Sequence, residues 1–317
     1  MKIDLKKLVG QLPANDNGFK KKMRFHQGWW RTFVLNEDEG NNPVREREKV
    51  CNTIMNGTVD ASRKNFLSKQ ILNAVLLTIE ERKNAGAGIL EENRLYNNLL
   101  SSQPLCFNFF GELKADKDLA LKVLQQFWAE LTEVRNVVFE YAPGENFTND
   151  NSAFDVAFEV MAGSQSGLVG FECKYTDTFS STAYRKAEYK SIFQKGRESA
   201  FNAEYDEFTT AKYNQLFRNQ LIAEALVQEG DLQFVYTGLF CHQDDRSALQ
   251  TGSDFQGMLK NGTKKFKVIT YQDFIEKMQR LEIGWEMREL SMMLWARYCG
   301  TQLSAQAFEY QLIPGET

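Results

Sequence analysis

The order of segments along the chain predicts an α/β protein with a central sheet. Two observations carry this. NVVFEYA (136–142), SAFDVAFEVM (152–161) and GLVGFECKYT (167–176) follow one another closely, each rich in Val and Phe with period-two alternation and separated by the turn-forming PGENFTNDN and AGSQSG. Segments of helical period then surround them, and two later strand-like runs, QFVYTGLF and FKVITY, complete the sheet.

The first hundred residues are expected to be mostly helical after an irregular start. ASRKNFLSKQILNAVLLTIEERK places Phe66, Ile71, Leu72, Val75, Leu76 and Ile79 near helical period, and the breaker NAGAG follows. Upstream, FHQGWWRTFVL sets aromatic rings beside Arg24 and Arg31. Such rings could stack bases, but the plainer reading is that Trp29 and Trp30 anchor the N-terminal arm on the core. After SSQPLCFNFFGEL, the run KADKDLALKVLQQFWAELTEV reads as an amphipathic helix through Leu119, Val123, Leu124, Phe127, Leu131 and Val134. Beyond the three strands come a basic helical region to about residue 200 and FTTAKYNQLFRNQLIAEALVQ, whose Tyr213, Phe217, Leu221 and Ala225 mark a packed helix. DFIEKM and EIGWEMRELSMMLWARY are expected to be helical as well.

Composition narrows the chemistry. With 317 residues, 43% of them hydrophobic and 13% aromatic, the chain can bury a substantial core as one elaborated domain. No apolar run approaches the roughly 18 residues of a membrane helix, and MKIDLKKLVGQLPANDNGFKKK has no apolar signal core, so the expectation is a soluble, cytoplasmic protein without a membrane partner. Five cysteines are scattered without a CxxC pair, which argues for reduced thiols rather than a disulfide framework or a zinc site. With only His26 and His242 present, any metal would be a hard cation held by oxygen. His242, in CHQDDR after a strand, reads as part of a surface turn.

The net charge of −4 gives no global attraction to nucleic acid. Locally the balance reverses: Lys174, Arg185, Lys186, Lys190, Lys195 and Arg197 stand against only Asp177 and Glu188. Such a run is either a solvated helix face or a phosphate-contacting surface.

Alternation places Glu172 and Lys174 on one face of GLVGFECKYT, with Gly170, and Asp155, Ala157 and Glu159 on the charge-bearing face of SAFDVAFEVM. If these strands form a hairpin turning between Gly163 and Ser164, facing residues have numbers that sum to 327, which sets Asp155 opposite Glu172 at about 5.5 Å between Cα atoms. Two carboxylates so close repel unless a cation or proton lies between them. Mg²⁺ takes one or two carboxylates together with waters and substrate phosphate oxygens. Lys174 on the same face can orient or deprotonate a water, or stabilise charge developing at phosphorus. The chemistry implied is metal-assisted phosphodiester hydrolysis. The bland alternative is a solvated ion pair between Glu172 and Lys174, against which the small Gly170 and Ala157 leave room for a ligand. A glycosidase-like acid pair, in which two acids flank the scissile bond, is disfavoured by the adjacent lysine and by the directly opposed, touching arrangement of the two acids.

Asp155, then Glu172-Cys173-Lys174 on consecutive strands after a helix and before a helix, resembles the PD-(D/E)XK nuclease superfamily over roughly residues 106–275. Phe154 stands where the motif has proline. The resemblance implies a restriction-endonuclease-like αβββαβ core with a central mixed sheet flanked by helices. Residues 1–105 would be an N-terminal, mostly helical extension packed on the core, and 276–317 a C-terminal helical segment. It implies Asp155 and Glu172 as Mg²⁺ ligands, with Mn²⁺ as a substitute, the main-chain carbonyl of Cys173 in the same shell, and Lys174 as the catalytic lysine. A further acidic ligand could be Glu140, Glu133 or Glu112, of which Glu140, on the neighbouring strand, is favoured. Gln215, with Arg218 and Asn219 one turn on, forms a polar seam on an apolar helix. It fits the glutamine that members often carry near the site, although plain solvation of a helix face explains it equally well. The expectation is a DNA endonuclease of restriction or defence type, with Arg185, Lys186, Lys190, Lys195 and Arg197 on the backbone. A homodimer is one arrangement by which a single-site nuclease cuts both strands. The alternative is a catalytically inactive nuclease-fold module that binds nucleic acid or protein.

Overall fold

A computed structural model describes residues 9–16, 18–42, 48–55, 63–83, 90–179 and 182–312. The expected breaker NAGAG and the chain ends 1–8 and 313–317 lie outside the described residues.

Helix α1 (Gly18–Trp30) runs into a turn of π-helix, Arg31–Leu35, and a two-stranded antiparallel ribbon follows, β1 (Glu39–Asn41) and β2 (Lys49–Ile54). The first hundred residues are therefore not purely helical. Next come α2 (Lys69–Arg82), α3 (Glu92–Asn97), α4 (Ser102–Ala115) and α5 (Lys117–Gln125). Then β3 (Glu133–Tyr141), β4 (Phe154–Ala162) and β5 (Gln165–Lys174) lead to α6 (Ala187–Ala200) and α7 (Asn214–Gln228). Strand β6 (Phe234–Cys241), α8 (Arg246–Gly257) and β7 (Phe266–Thr270) precede α9 (Tyr271–Gln279), α10 (Trp285–Leu294) and α11 (Gln302–Leu312).

Strands β3 to β7 lie side by side in chain order; β3, β4 and β5 are antiparallel, and β5, β6 and β7 run parallel. This is the expected αβββαβ arrangement with a mixed central sheet. Each strand begins and ends within three residues of the run that predicted it.

The β4–β5 turn has two residues, Gly163 and Ser164, closed by Ala162 opposite Gln165. Gly163 has φ +61°, the left-handed value that this tight hairpin requires at its first central position and that glycine adopts without penalty. The register follows: Val156 faces Phe171 and Ala157 faces Gly170, the pairing with sum 327.

Helix α5 stops at Gln125, well short of the amphipathic run that predicted it. Tertiary contacts take the chain out of the helix. The Trp128 indole donates to the Lys264 carbonyl at 3.0 Å, and the Thr132 N–H donates to the Met161 carbonyl at 2.7 Å, drawing Val134 into β3.

The sheet is covered on both faces. On one, α4 stacks Phe107 on Phe139 and Phe110 on Phe171, with Phe109 edge-on to Phe240. That core is continuous from Met23 in α1 to Cys299. On the other face, α6 and α7 build an aromatic cluster around Phe193, Phe201, Phe208 and Phe217. Trp30 is buried, and the buried Arg31 guanidinium donates to the carbonyls of Val9 and Cys51, each at 2.9 Å. The aromatic arm thus anchors on the core, as the plainer reading held.

Candidate active site

At the end of the β4–β5 ladder the sheet changes character. The last paired residues are Val156 and Phe171. Asp155 then turns its carboxylate onto β5, where Oδ2 accepts the Cys173 N–H at 2.6 Å. A side-chain oxygen thus serves a main-chain donor of β5 beyond the last ladder pair. Alternation breaks here as well: Val156 belongs to the α4-side core, whereas Phe154 joins Ala157 and Leu168 on the α7 side. The Phe154 ring fills the space over Gly170, so the room expected beside Gly170 and Ala157 is taken.

The open space lies one row further along. On β3, Phe139 faces Val156 and Tyr141 faces Phe154, which sets Glu140 opposite Asp155. Three carboxylates, Glu140, Asp155 and Glu172, thus occupy one row across three adjacent strands. They line a cleft of about 210 Å³ with Ser152 from the β3–β4 connection and Gln215, Arg218 and Asn219 from α7.

Glu172 is nearly buried, at 5% exposure, and its two oxygens are fully engaged. Oε1 accepts Gln215 Nε2 at 2.5 Å, Oε2 accepts Asn219 Nδ2 at 2.9 Å, and the Lys174 ammonium lies 3.2 Å from Oε1. Lys174 is 7% exposed, with its Nζ 5.3 Å from the centre of the Phe179 ring. The pair is not a solvated surface bridge. The polar seam of α7 faces Glu172, because residues 215 and 219 are one helical turn apart.

Glu140 has φ +51°, a left-handed conformation uncommon for a residue with a side chain. Its Oε1 accepts Gln103 Nε2 at 3.4 Å. Burial, and then the neighbouring Glu172, push its carboxyl up to about 7 against the opposing Gln103 hydrogen bond. Asp155 is raised well above the usual carboxylate range, first by burial and then by Glu172 and Glu140. The other acids considered lie elsewhere: Glu112 accepts from the Ser68 hydroxyl at 2.5 Å, and Glu133, at the far end of β3, meets Arg135 at 3.4 Å.

Among the described residues, no three ligating side chains already converge as a cage for an ion. The donor set still suits a hard divalent cation. It is made of carboxylate oxygens, and the mutual repulsion that raises Asp155 and Glu140 is what a cation between them would relieve.

Residues 14–300 match the family model of the PD-(D/E)XK nuclease superfamily. The chain belongs to this superfamily. No curated protein matches it. The matched region reaches well beyond the 106–275 span on which the motif resemblance rests, and takes in α1 to α3 and α10. PD-(D/E)XK nucleases cleave phosphodiesters and generally use divalent metals. The residues carrying the motif here, Asp155, Glu172, Cys173 and Lys174, are those just described. The Cys173 side chain is buried in the same core cluster as Cys106.

The basic segment is largely committed to local partners. Arg185 pairs with Asp206 at 3.1 Å, Lys195 with Glu229 at 3.1 Å and Arg197 with Glu204 at 2.6 Å, while Lys186 donates to the Asn149 carbonyl. Lys190 is exposed on α6. His242 is not on a surface turn: it is fully buried, edge-on to Phe19 and Tyr271, and its Nδ1 accepts the Asp244 N–H at 2.9 Å. Sequence reasoning missed Gln103, Ser152 and Asp150. Asp150 accepts Ser152 N–H at 2.8 Å and the Tyr189 hydroxyl and lies 3.7 Å from Arg218, so it ties the β3–β4 connection to α6 and α7. The DN pair in FTNDN was a turn signal whose reach could not be read. No helix among the described residues is long and apolar enough to cross a membrane.

Proposed function

We propose that this chain is a Mg²⁺-dependent DNA endonuclease of restriction or defence type, with Mn²⁺ able to replace Mg²⁺. The observation that carries this reading is the row of Glu140, Asp155 and Glu172 on three adjacent strands with Lys174 against Glu172. Asp155, Glu172, Glu140 and the main-chain carbonyl of Cys173 would hold the cation. When bound, it would supply neutralisation of phosphate charge and activation of a water.

The protein's own groups do the rest. Gln215 and Asn219 fix both oxygens of Glu172, so that carboxylate meets its ligand preoriented. Lys174, held beside Glu172 and largely shielded from water, orients the attacking water and stabilises charge on the phosphoryl oxygens. Arg218 Nε and Ser152 Oγ have no hydrogen-bond partner among the described residues, which suits donation to a substrate phosphate. Arg185, Lys186, Lys190, Lys195 and Arg197 contact the DNA backbone by exchanging their exposed local partners for phosphates, which positions the duplex without specifying sequence. Cutting both strands from one site per chain would call for two chains. The N-terminal extension and the C-terminal segment act with the core as one structural unit.

Plasmid DNA and RNA incubated with the purified protein test this reading. Mg²⁺ is expected to give nicked or linear DNA and EDTA to leave it supercoiled; intact DNA under both Mg²⁺ and Mn²⁺ would contradict the reading. A second reading, an inactive nuclease-fold binding module, is favoured by the net charge of −4 and by the locally paired cations of the basic segment. Calorimetric titration separates the two, because a binding module needs no Mn²⁺ site that disappears in Glu172→Gln.

A further inference from the structure

The N-terminal extension forms a groove of about 1180 Å³ between α1 and β2 on one side and α3 on the other, with Thr176 and Asp177 lining the end beside β5. We propose that this groove binds the nucleic-acid strand flanking the scissile phosphodiester and carries it into the carboxylate cleft; the proposal rests on the nuclease reading.

Groove and cleft share a wall. At the start of α3, the Glu91 N–H donates to Gln103 Oε1 at 3.4 Å, and the same amide donates through Nε2 to Glu140 in the cleft. Along α3, Arg94 reaches Asp177 at 3.5 Å, three residues beyond Lys174. A strand whose phosphate lies at Lys174 therefore continues past Thr176 into the groove.

The lining fits a nucleic acid better than a simple anion. Among the described residues its lining holds four cations (Lys20, Arg24, Lys49 and Arg94), of which Arg24 pairs with Asp16 at 2.5 Å and Arg94 with Glu91 and Asp177, together with six side-chain amides, of which Asn52 is buried and bonded to Asn98, and three acids. An amide donates and accepts at once, which matches base edges as well as phosphate and sugar oxygens. Asn15 and Asn93 are exposed there. Thr176 is 7% exposed, yet its hydroxyl has no hydrogen-bond partner among the described residues. The exposed Lys49 contrasts with the basic residues around α6, most of which are held by nearby acids.

The test compares the full chain with Lys49→Glu/Asn93→Ala, in which both altered residues are exposed. Binding of a fluorescent duplex and of its single strands is read by anisotropy in EDTA, and cleavage kinetics in Mg²⁺. The expected result is binding roughly tenfold weaker with a flatter salt dependence, for at least one probe, and a matching rise in KM at unchanged kcat. Unchanged affinity and KM, with a wild type that binds and cuts, would overturn the groove while leaving the nuclease reading intact. A wild type that neither binds nor cuts any probe would overturn both. A second measurement does not depend on weakened binding. All five native cysteines are buried, so Asn93→Cys can be labelled selectively with a photoreactive group. Crosslinking to DNA from position 93 and not from Glu286→Cys, in a separate acidic groove, supports the proposal. The reverse pattern overturns it.

Discussion

Glu172 accepts two amide donors and a lysine at once, and the ligand role proposed for it requires all three to hold it still. Gln215→Ala and Asn219→Ala each remove one of its two amide hydrogen bonds. Each is expected to lower single-turnover cleavage by about 10- to 100-fold, as loss of a ligand's supporting hydrogen bond does at metal sites, with a thermal midpoint close to wild type. Glu140 raises a different matter. Its left-handed backbone and its like-charged neighbours both cost stability. Asn accepts that backbone more readily and carries no charge, so Glu140→Asn should raise stability by about 1 kcal/mol and lower cleavage, measurable by denaturant melts beside an activity assay. The place of Glu140 beside Asp155, unlike that of Glu133 or Glu112, was legible from sequence, because strand neighbours are a local inference. Gln103, Ser152 and Asp150 were not legible, since each reaches the site through a contact that only tertiary structure defines.

Among the elements, the β4–β5 hairpin was the most legible. Alternation and one turn signal determined its register, and with it the proximity of Asp155 and Glu172. Gly163→Ala tests that argument at a turn where nothing crowds the added methyl, so backbone strain is the main cost. It should destabilise by about 1 kcal/mol, seen as a midpoint a few degrees lower, with cleavage by the folded fraction unchanged. Helix α4 was not legible. SQPLCFNFFGELKA is buried on nearly all sides, with residues from Pro104 to Gly111 in the interior, so no polar face marks its period. The ribbon of β1 and β2 escaped detection because it is short and its buried Asn52 and Thr53 look like loop residues; Asn52 is satisfied by Asn98 at 2.7 Å. The break in β4 alternation at Phe154 follows from the strand leaving its ladder, which no periodicity records.

At the scale of the whole molecule, the segments flanking the motif are tied to β5. Gln27 of α1 donates to the hydroxyl of Tyr175, next to Lys174, and to the Arg297 carbonyl, both at 2.8 Å. Arg297 in turn reaches the Asn65 carbonyl at 2.7 Å. His26 bridges Ser304 at 2.8 Å and the Ala296 carbonyl at 2.9 Å. Burial, the largest cause in each case, lowers His26 and His242 from 6.5 to about 4. Between those values the unfolded chain binds more protons than the folded one, so stability is full above pH 6.5 and falls as pH drops toward 4. Thermal midpoints across that window should decline, less steeply in His26→Gln; a flat profile would contradict neutral buried rings.

In the proposed reaction Asp155, Glu172 and Lys174 cut a phosphodiester together. Plasmid cleavage in Mg²⁺, comparing wild type with Asp155→Ala and Lys174→Ala at matched thermal midpoints, tests it most directly. The wild type is expected to cleave, and each variant to lose at least about 100-fold, in keeping with removal of a catalytic group. Equal cleavage by all three proteins would contradict it.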